Sequence, residues 1–391
     1  MFNFKCLILN CLVITSLIAN DGFEDEDEFG GDEIIEVVKL KKNESNELVT
    51  YGSISASSNY SYKNKDTISS AKISMNIKLE YVVNEFHKIK STIKAYKRYK
   101  TNIKNDRDFD INELTVEGTF YNGVDVKIGR QIIVWGKSDN IRITDTINPL
   151  DSTTPGMVDI EDLRLGKFMT KFDYFIKDWR LSAILISENR YSLTPKIGSD
   201  YYIASTTPDT PSNSFDNSGV ALSASANFQG QDIAFYYLNQ YVDNKTYRSN
   251  MLGLAYNKVI DSFLLKTEIA YFINQCDKSH CDNYDSSTVD DKIDSLIGLE
   301  YSGISDGSIS LEIANKNDDI QYALRYTQSF INQTLDFTAL YSGFGKDFND
   351  NGFIRTWVDY DIDDELSFNF GVIDYLDTNN DRVFASLEYN F

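Results

Sequence analysis

The chain has 391 residues, a formal net charge of −21, 25 Tyr, 24 Phe and only five Pro. That length suits two or three soluble domains or one large barrel, the acidic balance argues against nucleic-acid partners, and many aromatics among plentiful polar residues fit long two-faced strands. A negative mean hydropathy leaves a membrane protein open, because only alternate residues of a barrel strand face lipid.

At the N-terminus, Lys5 precedes an apolar run from Leu7 to Ile18, and the small Ala19 stands just before Asn20. The run falls short of the roughly 20 apolar residues a spanning helix needs, so residues 1–19 read as a cleaved secretory signal. No later segment reaches spanning length, which leaves periplasm, secretion or outer membrane as destinations. Residues 20–46 read as an acidic periplasmic arm; its opening D-G-F-E-D-E-D-E-F-G-G-D-E lacks the regular spacing and closing Glu of an EF-hand loop. A second reading has Phe23 and Phe29 docking on a periplasmic partner.

From about Glu47 onward the chain divides into alternating segments of about 9–17 residues, the span of a tilted membrane strand. Short connections fall near Asn84, Tyr121 to Gly123, Lys177-Asp178, Gln229-Gly230, Lys258 to Asp261, Ser302 to Asp306, Asn332-Gln333 and Asp361 to Asp364. Longer polar links alternate with them: Ser61 to Asp66, Thr101 to Asp108, Trp135 to Leu163, Asn189 to Phe215, Asp243 to Tyr247, Asn274 to Asp291, Lys316 to Asp319, Gly343 to Asp350 and Leu376 to Asn380. The expectation is an all-β, transmembrane, antiparallel up-and-down barrel over residues 47–391, of about eighteen strands within a range of about 16–18, with short turns and both termini in the periplasm. Soluble sandwiches and solenoids give no reason for such segregation of loop lengths. Weak extra strands near Asp159 to Leu163 or Tyr201 to Ala204 set the uncertainty in the count.

The period of two assigns faces. In the second strand Ile73, Met75, Ile77, Leu79 and Tyr81 point outward, leaving Lys72, Ser74, Asn76, Lys78 and Glu80 for the lumen. In the third, Lys88, Lys90, Thr92, Lys94, Tyr96 and Arg98 point inward, and in the sixth Lys167, Met169, Lys171 and Asp173 do so. Other inward positions are acidic or mixed, including Glu113, Glu117, Lys266, Glu268, Asp294, Glu300, Gln321, Arg325, Arg355 and Trp357. These charges either pair with lumen neighbours and only solvate the wall, or set up a transverse field that orients polar or anionic solutes.

Between the fifth and sixth strands, residues 135–163 are too long and too apolar for an exposed loop. Ile141, Ile143, Ile147 and Leu150 sit badly in water, while Arg142, Asp145, Asp151 and Asp159 are costly against lipid. Folding into the lumen solves both problems and narrows the pore, with Trp135, Lys137, Asp139, Arg142, Asp145, Asn148, Pro149 and Asp151 as the inward set. Gly129 and Gly136 permit close backbone approach, and Trp135 serves as a lid over the loop's root or as an interfacial anchor. Arg130 either snorkels to head groups or turns inward after a bulge.

Cys276 and Cys281, in N-Q-C-D-K-S-H-C-D-N, are expected to pair in an oxidising compartment. With His280 they make an incomplete tetrahedral set, so neither metal nor cofactor is expected. The chain closes with an alternating strand in which Val383, Ala385, Leu387, Tyr389 and Phe391 share the outer face and Ser386, Glu388 and Asn390 the inner one. Tyr389 and Phe391 read as the signal taken up by a barrel-assembly machinery.

The run G-R-Q-x-x-x-W-G-K-S-D at Gly129 to Asp139, followed by I-N-P-L-D, the acid-rich arm and the terminal Phe, resembles a large, uncharacterised group of proteobacterial outer-membrane barrel proteins, porin-like and alginate-export-like in style. The resemblance implies an outer-membrane channel, with export or uptake of hydrophobic or acidic compounds, and trimerisation only by analogy with porins. The expected function is passage of small hydrophilic or amphiphilic, including anionic, solutes past a constriction at 135–163. The partners are outer-membrane lipid and the solute itself. Two alternatives stand beside it. One is a closed adhesin or structural barrel binding through the links at 189–215 and 274–291; the other is an outer-membrane hydrolase built on His87 or His280, neither of which has an obvious Ser or acid partner in sequence.

Overall fold

The computed structural model describes residues 48–63, 67–84, 86–99, 103, 106–120, 122–203, 208–276, 289–316, 319–345 and 350–391. The signal, the acidic arm, Cys281 and His280 lie outside them, and so therefore does the expected disulfide. The strands are β1 (Leu48–Ser61), β2 (Thr67–Asn84), β3 (His87–Tyr99), β4 (Arg107–Phe120), β5 (Val124–Gln131), β6 (Lys167–Ile176), β7 (Trp179–Ile186), β8 (Gly219–Phe228) and β9 (Gln231–Tyr241). They continue with β10 (Arg248–Ile260), β11 (Phe263–Cys276), β12 (Val289–Ile304), β13 (Gly307–Lys316), β14 (Asp319–Phe330), β15 (Leu335–Phe344), β16 (Asp350–Asp361), β17 (Leu366–Tyr375) and β18 (Arg382–Asn390).

Every strand pairs antiparallel with its sequence neighbours, and β1 also pairs with β18, so 18 strands close into one barrel. Closure removes the unpaired N–H and C=O groups that an open sheet leaves at its edges. At the seam Ser53 lies opposite Asn390 and Ser61 opposite Arg382. The ladder runs to the last residue, where Gly52 and Phe391 exchange backbone hydrogen bonds of 3.0 and 2.9 Å. Above the seam the Lys63 ammonium lies 2.7 Å from both Asp374 and Asp381, whose hydrogen bonds hold its pKa well above the usual lysine range.

Hairpin chemistry explains the short end. Asn122 and Gly123 both have positive φ, 81° and 72°, the paired left-handed conformation whose twist suits a two-residue hairpin. Long and short connections alternate as the sequence suggests, with one correction: β13 ends at Lys316 and β14 begins at Asp319, so that link is as short as the turns at the opposite end. Neighbouring antiparallel strands lie about 5 Å apart and need no longer link. The weak extra strands are absent from the described residues: Ile160–Leu163 forms a 3-10 turn, and Tyr201 lies in a turn.

The barrel's outer face is apolar, with Phe109, Ile293 and Ile73 exposed at 64%, 58% and 51% on well-separated strands. An apolar surface repeated around the whole wall far exceeds the patches that soluble monomers leave in water. The buried core lies inside instead, where Ile133, Trp135, Ile141, Ile143 and Ile147 pack against small and apolar wall residues such as Ala255, Ala270 and Ala314. Each fully buried aliphatic side chain of this kind contributes roughly 1.5–3 kcal/mol.

Candidate functional site

The inward loop begins where β5 ends. Gly129 has φ 135°, and a Cβ there would stand 2.0 Å from the Leu114 carbonyl oxygen, so only glycine lets β5 press against β4 at this point. Arg130 then turns to the Glu188 carboxylate and to Asp110, 3.2 Å away, rather than reaching for head groups. Asn148 clips the root of the loop shut: its amide donates to the Gln131 and Leu165 carbonyls at 3.2 and 2.8 Å and its oxygen accepts from Ile133 N–H at 2.9 Å. A buried Asn with each polar atom satisfied is a strong positional constraint.

From Gly136 to Thr144 the backbone runs along the inner wall of β11 to β13. Glu268 accepts from the N–H groups of Lys137, Ser138 and Thr144 at 2.6, 2.8 and 3.0 Å and from the Thr144 hydroxyl at 2.8 Å. Glu312 accepts from the N–H groups of Asp139, Asn140 and Ile141 at 2.8, 3.0 and 3.0 Å. Both glutamates are 1% exposed. Gly136, at φ 85°, crosses so close to Glu268 that a Cβ would meet its carboxylate oxygens at 2.7 and 2.8 Å.

Side chains complete the seat. Trp135 is buried and stacks on Tyr236 with ring centroids 4.6 Å apart, so it packs within the loop's seat. Lys266 pairs with Asp139 and, at 3.1 Å, with Glu300, while Lys137 approaches Asp232 at 3.4 Å. Asp145 holds the loop's own halves together by accepting from Arg142 at 3.0 Å and Arg164 at 2.9 Å. Asp159 reaches the far wall, where it pairs with Arg355 and with Arg325 at 3.0 Å. Arg355 also donates to the Gly156 carbonyl at 3.0 Å and lies 4.0 Å over the Trp357 ring.

The connection from β7 to β8 is the second loop in the mouth. Asp151 forms a bridge with Leu193, and Pro149 accepts from Leu165 N–H at 2.8 Å. Beyond Leu193 the chain crosses towards β18: Lys196 lies 3.7 Å from Asp106, Asp200 lies 3.6 Å from Arg382, and the hydroxyls of Tyr201 and Tyr375 meet at 3.0 Å. Burial holds the Tyr201 hydroxyl above the usual phenol range. This strap carries part of the link from 189 to 215 across the opening.

The wall opposite the seated loop is different. Register places Lys72 beside Arg98, Asn76 beside Lys94 and Glu80 beside Lys90, with Lys78 on the same face. Arg98 pairs with Asp106 at 2.7 Å, and Glu117 takes both Lys127 at 2.8 Å and Lys88 at 3.5 Å. Among the described residues, no carboxylate lies within ion-pair distance of Lys72, Lys78, Lys90 or Lys94. Glu113 accepts from Thr92 and from Ile132 N–H, each at 3.3 Å. On β6, Lys171 pairs with Asp173 at 2.9 Å, and buried Lys167 donates to Gln240 at 3.0 Å and to the Ile147 carbonyl at 3.3 Å. His87, at the β2–β3 turn, makes its side-chain hydrogen bond with Asn84 at 2.9 Å.

Sequence reasoning placed Glu268 on the inner face without a role and passed over Glu312 altogether. The available signal was an acid on the inward face between outward β-branched or aliphatic residues, Leu311-Glu312-Ile313 and Thr267-Glu268-Ile269, which marks an inward carboxylate in need of donors.

The profile of a family described as "Protein of unknown function (DUF1302)" matches residues 38–280. No curated protein matches the sequence. Among solved structures, the chain is similar to OccAB3 of Acinetobacter baumannii, at 12% identity and a TM-score of 0.54, covering 88% of this chain and 99% of that one. It is similar to OccK8 (OprE) of Pseudomonas aeruginosa at 12% identity and a TM-score of 0.54, covering 88% and 98%. OpdK of the same organism, solved with vanillate, gives 10% identity, a TM-score of 0.54 and coverage of 88% and 98%. At such identities the likeness is one of fold.

Proposed function

This chain belongs to the DUF1302 family, and we propose that it is an outer-membrane channel for small hydrophilic or amphiphilic solutes, with a preference for anions. The apolar outer wall and the closed ladder support the membrane placement, because a barrel with no free edge meets lipid without an unsatisfied backbone group. An 18-stranded barrel is wide enough to leave an aqueous path, and the loop at 135–163 fills part of it.

The observation that carries the anion preference is the row of lumen-facing lysines on β2 and β3, of which Lys72, Lys78, Lys90 and Lys94 have no carboxylate within ion-pair distance among the described residues. Cations left unneutralised in a confined, low-dielectric passage raise the local concentration of anions. Selection is steric and electrostatic, with no covalent chemistry. Reconstitution in a planar bilayer under a KCl gradient tests this: discrete conductance steps and a reversal potential on the chloride side are expected. A barrel that never conducts rules the channel out, and a cation-selective one rules out the role of the lysines.

A further inference from the structure

The seating of the loop on Glu268 and Glu312 has a physical logic of its own. A loop laid along a barrel wall carries backbone N–H groups that the wall cannot satisfy, since the wall's own N–H and C=O groups are spent in the ladder. Here the donors from Lys137 to Ile141, with Thr144, converge on two wall carboxylates instead. A carboxylate is acceptor-only and holds several lone pairs, which suits it to a run of donors that no single neutral side chain could satisfy.

The surrounding wall is shaped for this arrangement. Gly298 lies between Lys266 and Glu312 in the ladder, with Ala270 opposite Gly253 and Ala314 opposite Leu296. Gly253 leaves room for the Thr144 methyl, which would stand 3.1 Å from a Cβ there. The small residues form a trough and the glutamates lie within it, so the loop's path follows from wall positions that are separated from it by more than a hundred residues.

We propose that Glu268 and Glu312 are the positioning residues of the constriction: they hold the segment from Gly136 to Thr144 against β11 to β13 and so keep the lysine side of the lumen clear. Removing either side chain uncovers a cradle of wall-facing N–H groups, and that cradle is a receptor for a small carboxylate. The effect on conduction rests on the channel reading above; the seating of the loop does not.

The test uses the full-length barrel in detergent and in planar bilayers, comparing wild type with E268A, E312A and the double variant. Heat-modifiable gel migration selects correctly folded barrels. Hydrogen exchange of the amides 137–141 and 144 is read first. Wild-type amides should be protected, and the alanine variants should exchange at least roughly tenfold faster at the donors that lose their acceptor. Sodium formate, set against sodium chloride at equal ionic strength, should restore protection in E268A and leave wild type unchanged. In bilayers the double variant should show lower and noisier conductance than wild type, as the freed loop moves towards the lysine wall. Unchanged exchange in both single variants overturns the proposal, as does loss of protection spread evenly through the loop. If wild type itself does not conduct, the channel reading falls while the exchange data still decide whether the glutamates seat the loop.

Discussion

The two sides of the lumen start from one strand pattern and reach opposite electrostatic outcomes. On β11 to β16 four inward charges are taken up by the loop: Glu268 and Glu312 by its N–H groups, Arg325 and Arg355 by Asp159. On β2 and β3 the inward lysines are not taken up in this way, and Lys72, Lys78, Lys90 and Lys94 have no carboxylate within ion-pair distance among the described residues. Strand periodicity alone does not say which charges work on solutes. What decides it is where the intruding loop lies, because a charge already paired contributes little field at a distance.

The strongest way to break this contrast is to remove the loop. Replacing residues 136–161 with a short Gly-Ser link should raise single-channel conductance several-fold and leave the barrel folded, since its ladder does not depend on the loop; equal conductance would show that the passage is limited elsewhere. A second, smaller effect is expected from cutting the far anchor. Arg355→Ala together with Arg325→Ala leaves Asp159 without its cations, which should cost about 1–3 kcal/mol in a urea titration.

The lysine side is tested by charge removal. Replacing Lys72, Lys90 and Lys94 together by Gln should move the reversal potential in a KCl gradient towards zero. Lys88→Gln alone should move it less, because Glu117 already lies 3.5 Å from that ammonium; equal shifts would mean that pairing has no bearing on selectivity. Raising salt from about 0.1 M to about 1 M shortens the Debye length from about 10 Å to about 3 Å, so wild-type anion preference should fade while hydrogen exchange in the loop stays as it was. The smallest effect is expected at the seam. Phe391→Ala keeps the backbone exchange with Gly52, so assembled barrels should conduct as wild type does, and any deficit should appear only as a lower yield of folded protein on heat-modifiable gels.

Much of this architecture is legible in the sequence. Strand after strand shows the two-residue period, Asn122-Gly123 marks a hairpin by its own φ preference, and the lysines of β2 and β3 fall on one face by counting alone. Such signals are local, each set by a few neighbouring residues and by backbone sterics. The inward course of the loop was also legible, because a segment mixing buried-type Ile with Arg and Asp suits neither water nor lipid. Its contacts were not. Nothing near Lys137 points to Glu268, and nothing near Asp159 points to Arg355, since those partners are joined only by closing the barrel.

By itself, then, the sequence determined the class of fold, a strand count to within two and the faces of the strands it assigned, because alternation is written residue by residue. The tertiary structure alone decided which inward charges are spent and which remain. Barrel closure and loop insertion bring together groups that lie far apart in the chain, and the same Glu or Lys takes a structural or an electrostatic role according to what arrives opposite it.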